Sequence, residues 1–260
     1  MLNKGVPSVL RKTSWLLAPL SALIVPIAAQ AQTSTLDWGA GDATSIDANA
    51  TNIYDVGSGK VNINFANPEN FTGFGGASST PAINTILNGA NADSDPSLHL
   101  QINPSGELGS VTMQTTFTEF AKPFLDVSFT LYDIDISGVS SWQDSVRLVG
   151  FGENGTTILP TFNILGSTPQ QIGADTLAGE SPANNDEATG NVEVSFKGID
   201  GFDLTFADGP ALSLADQNSH GIGVGDIEVT AVPEPMSVLA VVAFGAVAAG
   251  SALKKKKQNV

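Results

Sequence analysis

Three carboxylates stand close together in one short stretch of the chain, YDIDISGVSSWQD (132–144). Asp133 and Asp135 are two residues apart, so on an extended strand their side chains point to the same side. Calcium is bound by hard oxygen ligands of this kind. With Asp144 at the start of the next predicted strand, they form a candidate calcium site, which Asp226 could also approach. The commoner role of such aspartates, as solvated residues that cap turns and protect sheet edges, is the alternative.

Aromatic side chains decide whether a sugar could bind nearby, because sugar rings stack on exposed aromatic rings. Trp142 is the best candidate, since it lies in the polar loop SGVSSWQD and outside the apolar series of a strand. Its alternative role, equally well supported, is to cover the end of the hydrophobic core. Trp38, Tyr54 and Tyr132 are the other candidates, and Tyr132 is expected to point into the core.

Catalytic residues are hard to find in this sequence. Of the two histidines, His99 sits between leucines as a strand residue, and His220 follows Ser219 in a predicted loop. A Ser-His-Asp site is conceivable at His220, but neither a nucleophile elbow nor a zinc-binding histidine pair is present. A glycosidase would need two carboxylates at a set spacing, and the sequence singles out no such pair. It therefore favours a protein that is not an enzyme, with a secreted hydrolase as the less favoured alternative.

The elements that would position these residues are short β-strands with alternating apolar and polar residues, separated by Gly, Pro, Asn and Asp. This pattern predicts an all-β antiparallel sandwich, jelly-roll-like, in a single domain. Two long loops, 37–59 and 166–190, and a short helix over 81–88 complete the expectation. The predicted strands are 60–66, 98–102, 110–120, 125–135, 144–151, 156–162, 191–197, 201–207 and 221–230.

Charge is very unevenly distributed along the chain. Between Gln32 and Val232 there are 25 acidic and four basic residues, a net formal charge of −21. Such a surface repels nucleic acid and anionic lipid and attracts cations, so nucleic-acid binding is excluded. The absence of cysteine excludes a disulfide framework.

The first 31 residues have the pattern of a secretory signal peptide. Basic residues near the start precede an uncharged stretch over 15–28, and Ala29 and Ala31 supply the small residues that signal peptidase accepts. We place the cleavage after Ala31. A retained N-terminal anchor is the alternative, although Pro19 and Pro26 interrupt the apolar run.

The other end carries an uncharged run, Met236 to Leu253, just long enough for one transmembrane helix. A buried core helix is the alternative. The lysines that follow favour a membrane span, because a basic block directly after an apolar run is typical of a cytoplasmic stop-transfer flank. These lysines are Lys254, Lys255, Lys256 and Lys257.

Directly before that run stands Val232-Pro233-Glu234-Pro235. A Pro-Glu-Pro motif, an apolar span and a basic cluster within the last 30 residues resemble the PEP-CTERM sorting signal. The resemblance implies recognition by an exosortase, a membrane protease, and delivery to the outer envelope or extracellular matrix. The basic cluster departs from the family pattern, since it is all lysine where arginine is usual. The Asp-Ile-Asp stretch loosely resembles jelly-roll, carbohydrate-binding-like surface domains.

Together these features predict a signal peptide (1–31), an acidic ectodomain (32–230) and a sorting signal (231–260, with the motif at 232–235, the helix at 236–253 and the basic tail at 254–257). The predicted function is association with extracellular polysaccharide outside the cell, with calcium as a possible cofactor. The alternative is a structural matrix or adhesive protein without a defined ligand site.

Overall fold

The computed structural model describes residues 30–40, 43–73, 80–89, 95–103, 109–120, 124–137, 141–185, 187–211 and 218–232. These residues form strands joined by turns and by three short 3-10 turns, at Pro68–Asn70, Glu153–Gly155 and Ala188–Gly190. The strands are β1 (Gln32–Leu36), β2 (Asn52–Val56), β3 (Gly59–Ala66), β4 (Ala82–Asn84), β5 (Ser97–Ile102), β6 (Ser110–Thr118), β7 (Phe124–Tyr132), β8 (Asp144–Phe151), β9 (Thr157–Ile158), β10 (Thr161–Ile164), β11 (Pro169–Gln171), β12 (Thr176–Gly179), β13 (Val192–Ile199), β14 (Gly201–Asp208), β15 (His220–Val224) and β16 (Ile227–Val232).

Two antiparallel sheets face one another across a hydrophobic core. In the first sheet, β7 is central, with β13 and then β10 along one side. Along its other side run β16 and β15, which continue outward to β1 and to β5 and β4. The second sheet has the order β11-β12-β8-β14-β6-β3-β2, with β9 beside β8. The predicted sandwich of antiparallel sheets is therefore confirmed, and its jelly-roll connectivity stays a prediction.

Alternation along each strand produces the core. In β14, Phe202, Leu204 and Phe206 point inward and are fully buried, while the residues between them face outward. Phe202 stacks on Phe129 of the first sheet, with ring centroids 5.0 Å apart, so the two sheets meet through aromatic rings. Each such buried side chain contributes roughly 1.5–3 kcal/mol to stability.

Several local predictions need correction. The segment 81–88 is not a helix: it contains β4. The predicted strand 156–162 is two strands, because Pro160 lacks an N–H and interrupts the ladder. The predicted loop 37–59 contains β2, and 166–190 contains β11 and β12.

Two other predicted strands differ from the observed ones at residues of functional interest. The strand predicted over 125–135 ends at Tyr132, and the one predicted over 221–230 is divided at Gly225 and Asp226 into β15 and β16. The first change removes the alternation on which the placement of Asp133 and Asp135 was based.

The chain ends lie mostly outside the described residues. This holds for the signal peptide up to Ala29, for Pro233 to Pro235, for the predicted span 236–253 and for the lysine tail 254–257. In the part of the chain that is described, no helix is both long enough and apolar enough to cross a membrane. β16 continues to Val232, two residues past the predicted end of the ectodomain.

Candidate functional site

The three aspartates predicted as calcium ligands are buried at the end of the sandwich. Asp133, Asp135 and Asp144 are only 6%, 1% and 0% exposed. Their interpretation as solvated loop-edge residues is therefore wrong. Asp133 has φ of 64°, a left-handed conformation that aspartate tolerates better than most residues.

Strand register explains why carboxylates are buried here. Asp144 begins β8 and Asp208 ends β14, and the two are direct partners in the antiparallel ladder. Each continues the inward-facing series of its strand, so both side chains point into the sandwich. Two carboxylates facing each other in the core would repel strongly unless a cation lies between them.

His220, the first residue of β15, provides that cation. Its Nδ1 lies 2.6 Å from Asp144 Oδ1 and its Nε2 lies 3.0 Å from Asp208 Oδ1, so the protonated ring donates to both carboxylates. All three side chains are at most 1% exposed. We call Asp133, Asp135, Asp144, Asp208 and His220 the buried cluster.

Backbone groups complete the hydrogen bonding of this cluster. Asp144 Oδ2 accepts a hydrogen bond of 3.0 Å from Asp135 N–H, and Asp135 Oδ2 accepts one of 2.7 Å from Ala183 N–H. The segment that contributes Ala183 can pack this closely because its neighbour Gly179 has no side chain: a Cβ there would lie 2.0 Å from the carbonyl oxygen of Asp135.

Burial controls the protonation of the cluster. It raises the pKa of Asp133 to about 7 and that of Asp135 to about 8, and the charge of Asp144 adds to both shifts. For His220, burial alone would lower the pKa, but the hydrogen bonds to Asp144 and Asp208 outweigh it and raise the pKa to about 9. The cluster therefore holds its protons at neutral pH more firmly than exposed groups would.

Three oxygens of the cluster are buried and have no hydrogen-bond partner among the described residues: Asp133 Oδ1, Asp135 Oδ1 and Asp208 Oδ2. An ionised oxygen in this position would be costly, whereas a protonated carboxyl is less so. The role of Asp133, Asp135 and Asp144 as calcium ligands stays a prediction.

Both ring nitrogens of His220 are occupied by carboxylates. A Ser-His-Asp site needs one nitrogen free to take the proton of the serine. The neighbouring Ser219 instead accepts a hydrogen bond from Gln101 Nε2 at 2.7 Å. His220 is therefore arranged as a structural cation and not as a catalytic base.

Trp142 packs against this cluster. The Trp142 ring lies parallel to the His220 ring, with an interplanar angle of 6° and a centroid distance of 6.0 Å. Half-buried, it lines a cavity of about 100 Å³ together with Asp133, Asn185 and Ser219. Sugar stacking on Trp142 stays a prediction.

His99 is a buried strand residue, as predicted, and its Nε2 lies 2.9 Å from Gln101 Oε1.

A second site, which sequence reasoning missed, is a groove on the outer face of the first sheet. Its volume is about 280 Å³. Strand register brings its polar residues side by side: Glu228 lies between Thr35 and Ser128, and Glu193 lies opposite Thr130. We call this the outer groove, and its lining comprises Thr35, Asp95, Pro96, Ser128, Phe129, Thr130, Tyr132, Glu193, Asp226 and Glu228.

Asp226 reaches the groove because the chain is bulged between β15 and β16. The backbone N–H of Gly225 still donates to the carbonyl of Thr130 at 2.8 Å, and Asp226 projects beside it. Trp38 fixes this bulge from the buried side, donating from its indole to Gly225 O and from its backbone N–H to Asp226 Oδ1, both at 2.9 Å. Bulges commonly redirect a side chain in this way.

Asp226 lies beside Asp37 and Asp95, and one carboxylate oxygen from each lies within 4.8 Å of the others. We call these three residues the exposed cluster. Burial raises the pKa of Asp226 to about 6, the hydrogen bond from Trp38 opposes the shift, and the charges of Asp37 and Asp95 reinforce it. The sequence had suggested that Asp226 could approach the same cation as Asp133, Asp135 and Asp144, whereas the structure places it with Asp37 and Asp95.

The structure also shows the positions of the other aromatic candidates for sugar stacking. Trp38 and Tyr54 are buried, and the Tyr54 hydroxyl donates to Ser45 O at 2.8 Å. Tyr132, predicted to point into the core, is half-buried and lines the outer groove. Two aromatic residues line the groove. Phe129 belongs to the core, whereas Tyr132 is half-buried.

No protein-family model matches this sequence, and no curated protein matches it. Among solved structures, the chain is similar to a carbohydrate-binding module, TmCBM27, in a structure described as a dissection of specific mannan recognition. The TM-score is 0.36 and the sequence identity 9%, over 79% of this chain and 100% of the module. Similarity this low says nothing about a shared ligand.

Proposed function

We propose that the protein is an exported, non-enzymatic surface or matrix protein that associates with extracellular polysaccharide through the outer groove. The observation that carries this proposal is the groove itself, in which three hydroxyl side chains alternate with carboxylates on a rigid sheet. These hydroxyls belong to Thr35, Ser128 and Thr130.

The chemistry of the groove suits sugar hydroxyls. Carboxylates of Glu193 and Glu228 accept hydrogen bonds from hydroxyl groups, and bonds to an ionised acceptor are stronger than neutral ones. Threonine and serine hydroxyls can both donate and accept. The ring of Tyr132 provides an apolar surface beside them. Because these groups project from strands, they are held in place before a ligand arrives.

Size and charge narrow the polysaccharide class. Ligand clefts usually measure about 300–1,000 Å³, so a groove of about 280 Å³ fits a short part of a polymer, such as a single sugar ring. Four carboxylates line it, from Asp95, Asp226, Glu193 and Glu228. They would repel uronates and sulfated sugars, so we propose a neutral polysaccharide.

Export and sorting form the second part of the proposal. It is supported by the signal-peptide pattern, the 232–235 motif and the lysine-flanked apolar run. Signal peptidase would cleave after Ala31, and an exosortase would act on the C-terminal signal before the protein reaches the outer envelope or matrix. The intact mass of the native protein tests this: a species from Gln32 to the region of Val232 supports it, and a species that retains Met236 to Val260 contradicts it.

The binding test compares the exported protein with two variants on a panel of neutral and anionic polysaccharides, by affinity electrophoresis and calorimetry. Glu193→Gln combined with Glu228→Gln should weaken binding to a neutral polymer at least tenfold. Glu119→Gln is the matched control, since Glu119 pairs with Lys60 on the other sheet. The control variant should bind like the parent protein.

Three outcomes would contradict the proposal. Equal binding by the groove variant would move the site elsewhere on the molecule. Absence of binding to every polymer would favour the structural matrix protein without a defined ligand. Release of reducing ends from a bound polymer would make the protein a hydrolase.

A further inference from the structure

We propose that the protein self-associates through one uncharged side of the sandwich, forming a two-fold dimer of identical chains. The surface is made by residues 154–174, 21 consecutive residues without a single charged side chain. We call it the uncharged side. The inference does not depend on the polysaccharide groove, which lies on the outer face of the first sheet.

The uncharged side joins the edges of both sheets. It contains β9, β10 and β11. β10 pairs with β13 along one side, and β11 pairs with β12 along one side. Among the described strands, none pairs with the other side of either β10 or β11, and these two strands lie in contact with each other. Unpaired strand edges are the usual template for strand addition by another chain.

Large apolar side chains are exposed on this surface. Among the described residues, five large hydrophobic side chains are exposed, and four of them are on the uncharged side: Leu159, Ile164, Leu165 and Ile172. The fifth is Ile53, on β2 at the far edge of the second sheet. Grouped apolar residues at an edge mark an interaction surface more often than scattered ones do.

The exposure of Ile164 indicates that no second layer covers the uncharged side. Ile164 lies opposite Val192 in the ladder and so belongs to the inward-facing series of β10, yet it is 39% exposed, whereas Val192 is fully buried. An inward-facing residue remains exposed only where no second layer covers it. A partner on this side would complete the core that the two sheets leave uncovered.

Charge identifies the partner as a second copy. The ectodomain carries a net formal charge of −21, so most surfaces of two copies repel each other. The uncharged side is the exception, since two copies can bring it together without placing carboxylates face to face. Pro160, Thr168 and Pro169 are buried within the chain, and the other 18 of its 21 residues come close to the roughly 20–30 residues that each partner contributes to a stable interface.

An isologous contact follows, with β10 antiparallel to the β10 of the second copy, because a strand edge paired with itself closes under two-fold symmetry. Such a dimer would present two outer grooves to one polymer. Two linked sites bind a repeating polymer more tightly than one site does.

Sedimentation velocity of the exported protein over a wide concentration range tests the proposal. We expect a dimer, with Leu165→Glu and Ile164→Glu each raising the dissociation constant at least tenfold, because each adds two facing charges across the two-fold axis. Ile53→Glu is the matched control, since it adds the same charge to an exposed apolar residue elsewhere, and it should leave the dimer unchanged. Thermal unfolding would show that all three variants are folded.

Cysteine cross-linking provides a second measurement, because the chain contains no cysteine of its own. Oxidation of Thr161→Cys or of Asn163→Cys should give a disulfide-linked dimer in at least one case, whereas Ile53→Cys should not. A monomer at the highest concentration would overturn the proposal. So would a dimer weakened equally by Ile53→Glu, or growth into open-ended assemblies.

Discussion

The aspartates of this molecule form two clusters in different environments, one buried and one exposed. In the buried cluster, Asp144 and Asp208 face each other in the core and share His220 as their cation. In the exposed cluster, Asp37, Asp95 and Asp226 meet at the end of the outer groove, where water and ions have access. Both groups lie at or close to the ends of strands, and the carboxylates of both come from aspartates.

The difference is one of solvation. A carboxylate in the core must be neutralised by a proton or by a fixed cation, and the buried cluster uses both means. A carboxylate near the surface is stabilised by water and can exchange that water for a metal ion. Sequence composition alone makes the two groups look alike, and their burial is what distinguishes them.

Removal of the internal cation should have the largest effect. His220→Ala leaves Asp144 and Asp208 facing each other without their cation, and breaking a buried pair in this way costs about 3–5 kcal/mol. Urea unfolding should show that loss of free energy. A loss below about 1 kcal/mol would mean that both carboxyls are protonated in the native protein and need no cation.

Stability should fall as pH rises. Asp133 has a folded pKa of about 7, above its usual value, so the native state holds a proton that the unfolded state loses between about pH 4 and 7. His220, with a folded pKa of about 9, contributes stability that is complete below about pH 6.5 and lost as pH rises through 9. The free energy of unfolding should therefore drop by a few kcal/mol from pH 4 to pH 9.

Two variants separate these pH windows. Asp133→Asn should reduce the fall between pH 4 and 7, leaving the part due to Asp135, whose folded pKa is about 8, and should keep the fall towards pH 9. His220→Gln should reduce the fall between pH 6.5 and 9, leaving the part that Asp135 contributes up to about pH 8. Denaturant unfolding at a series of pH values measures both, and a profile that rises with pH would contradict the protonation of the buried cluster.

Calcium should distinguish the two clusters by a smaller effect. If the exposed cluster binds calcium, an excess of 100-fold over the dissociation constant raises stability by about 2.7 kcal/mol. In that case the shift in thermal unfolding should be lost in Asp226→Asn and retained in Asp133→Asn. The reverse pattern would place the ion at the predicted Asp133, Asp135 and Asp144, and no shift would remove calcium from both.

The smallest effect is expected at an ion pair on the surface. Arg147 Nε lies 2.7 Å from Asp175 Oδ2, but the arginine side chain is mostly exposed. Arg147→Ala should cost no more than about 1 kcal/mol in urea unfolding. A loss as large as that of His220→Ala would show that burial is not what separates the two kinds of aspartate site.

The alternation of apolar and polar residues along the chain was sufficient to predict most of the strands. Val61 and Ile63 alternate with asparagines in β3, and both are fully buried as that alternation predicts. The same alternation also indicated the buried cluster. Asp144 continues the inward series of Val146 and Leu148, so an aspartate at this position already indicated a buried carboxylate in need of a partner.

The outer groove and the exposed cluster could not be found in this way. Asp37, Asp95 and Asp226 come from distant parts of the chain, and they are brought together by the pairing of β1 with β16, the pairing of β5 with β15 and the bulge at Gly225. A glycine and an aspartate inside an alternating segment look like one continuous strand. The bulge depends on Trp38, which docks from another part of the chain.

The pairing of β16 also limits how the chain can be trimmed at its C-terminal end. β16 is held between β1 and β7, with Ala231 opposite Gln32 and Val232 opposite Phe124. A protease takes its substrate as a free extended segment, and a strand bonded on both sides cannot enter its cleft without being pulled out of the sheet. The pairing of β16 therefore protects the chain up to Val232, so an enzyme that trims this end is expected to cleave after Val232 and not within the strand.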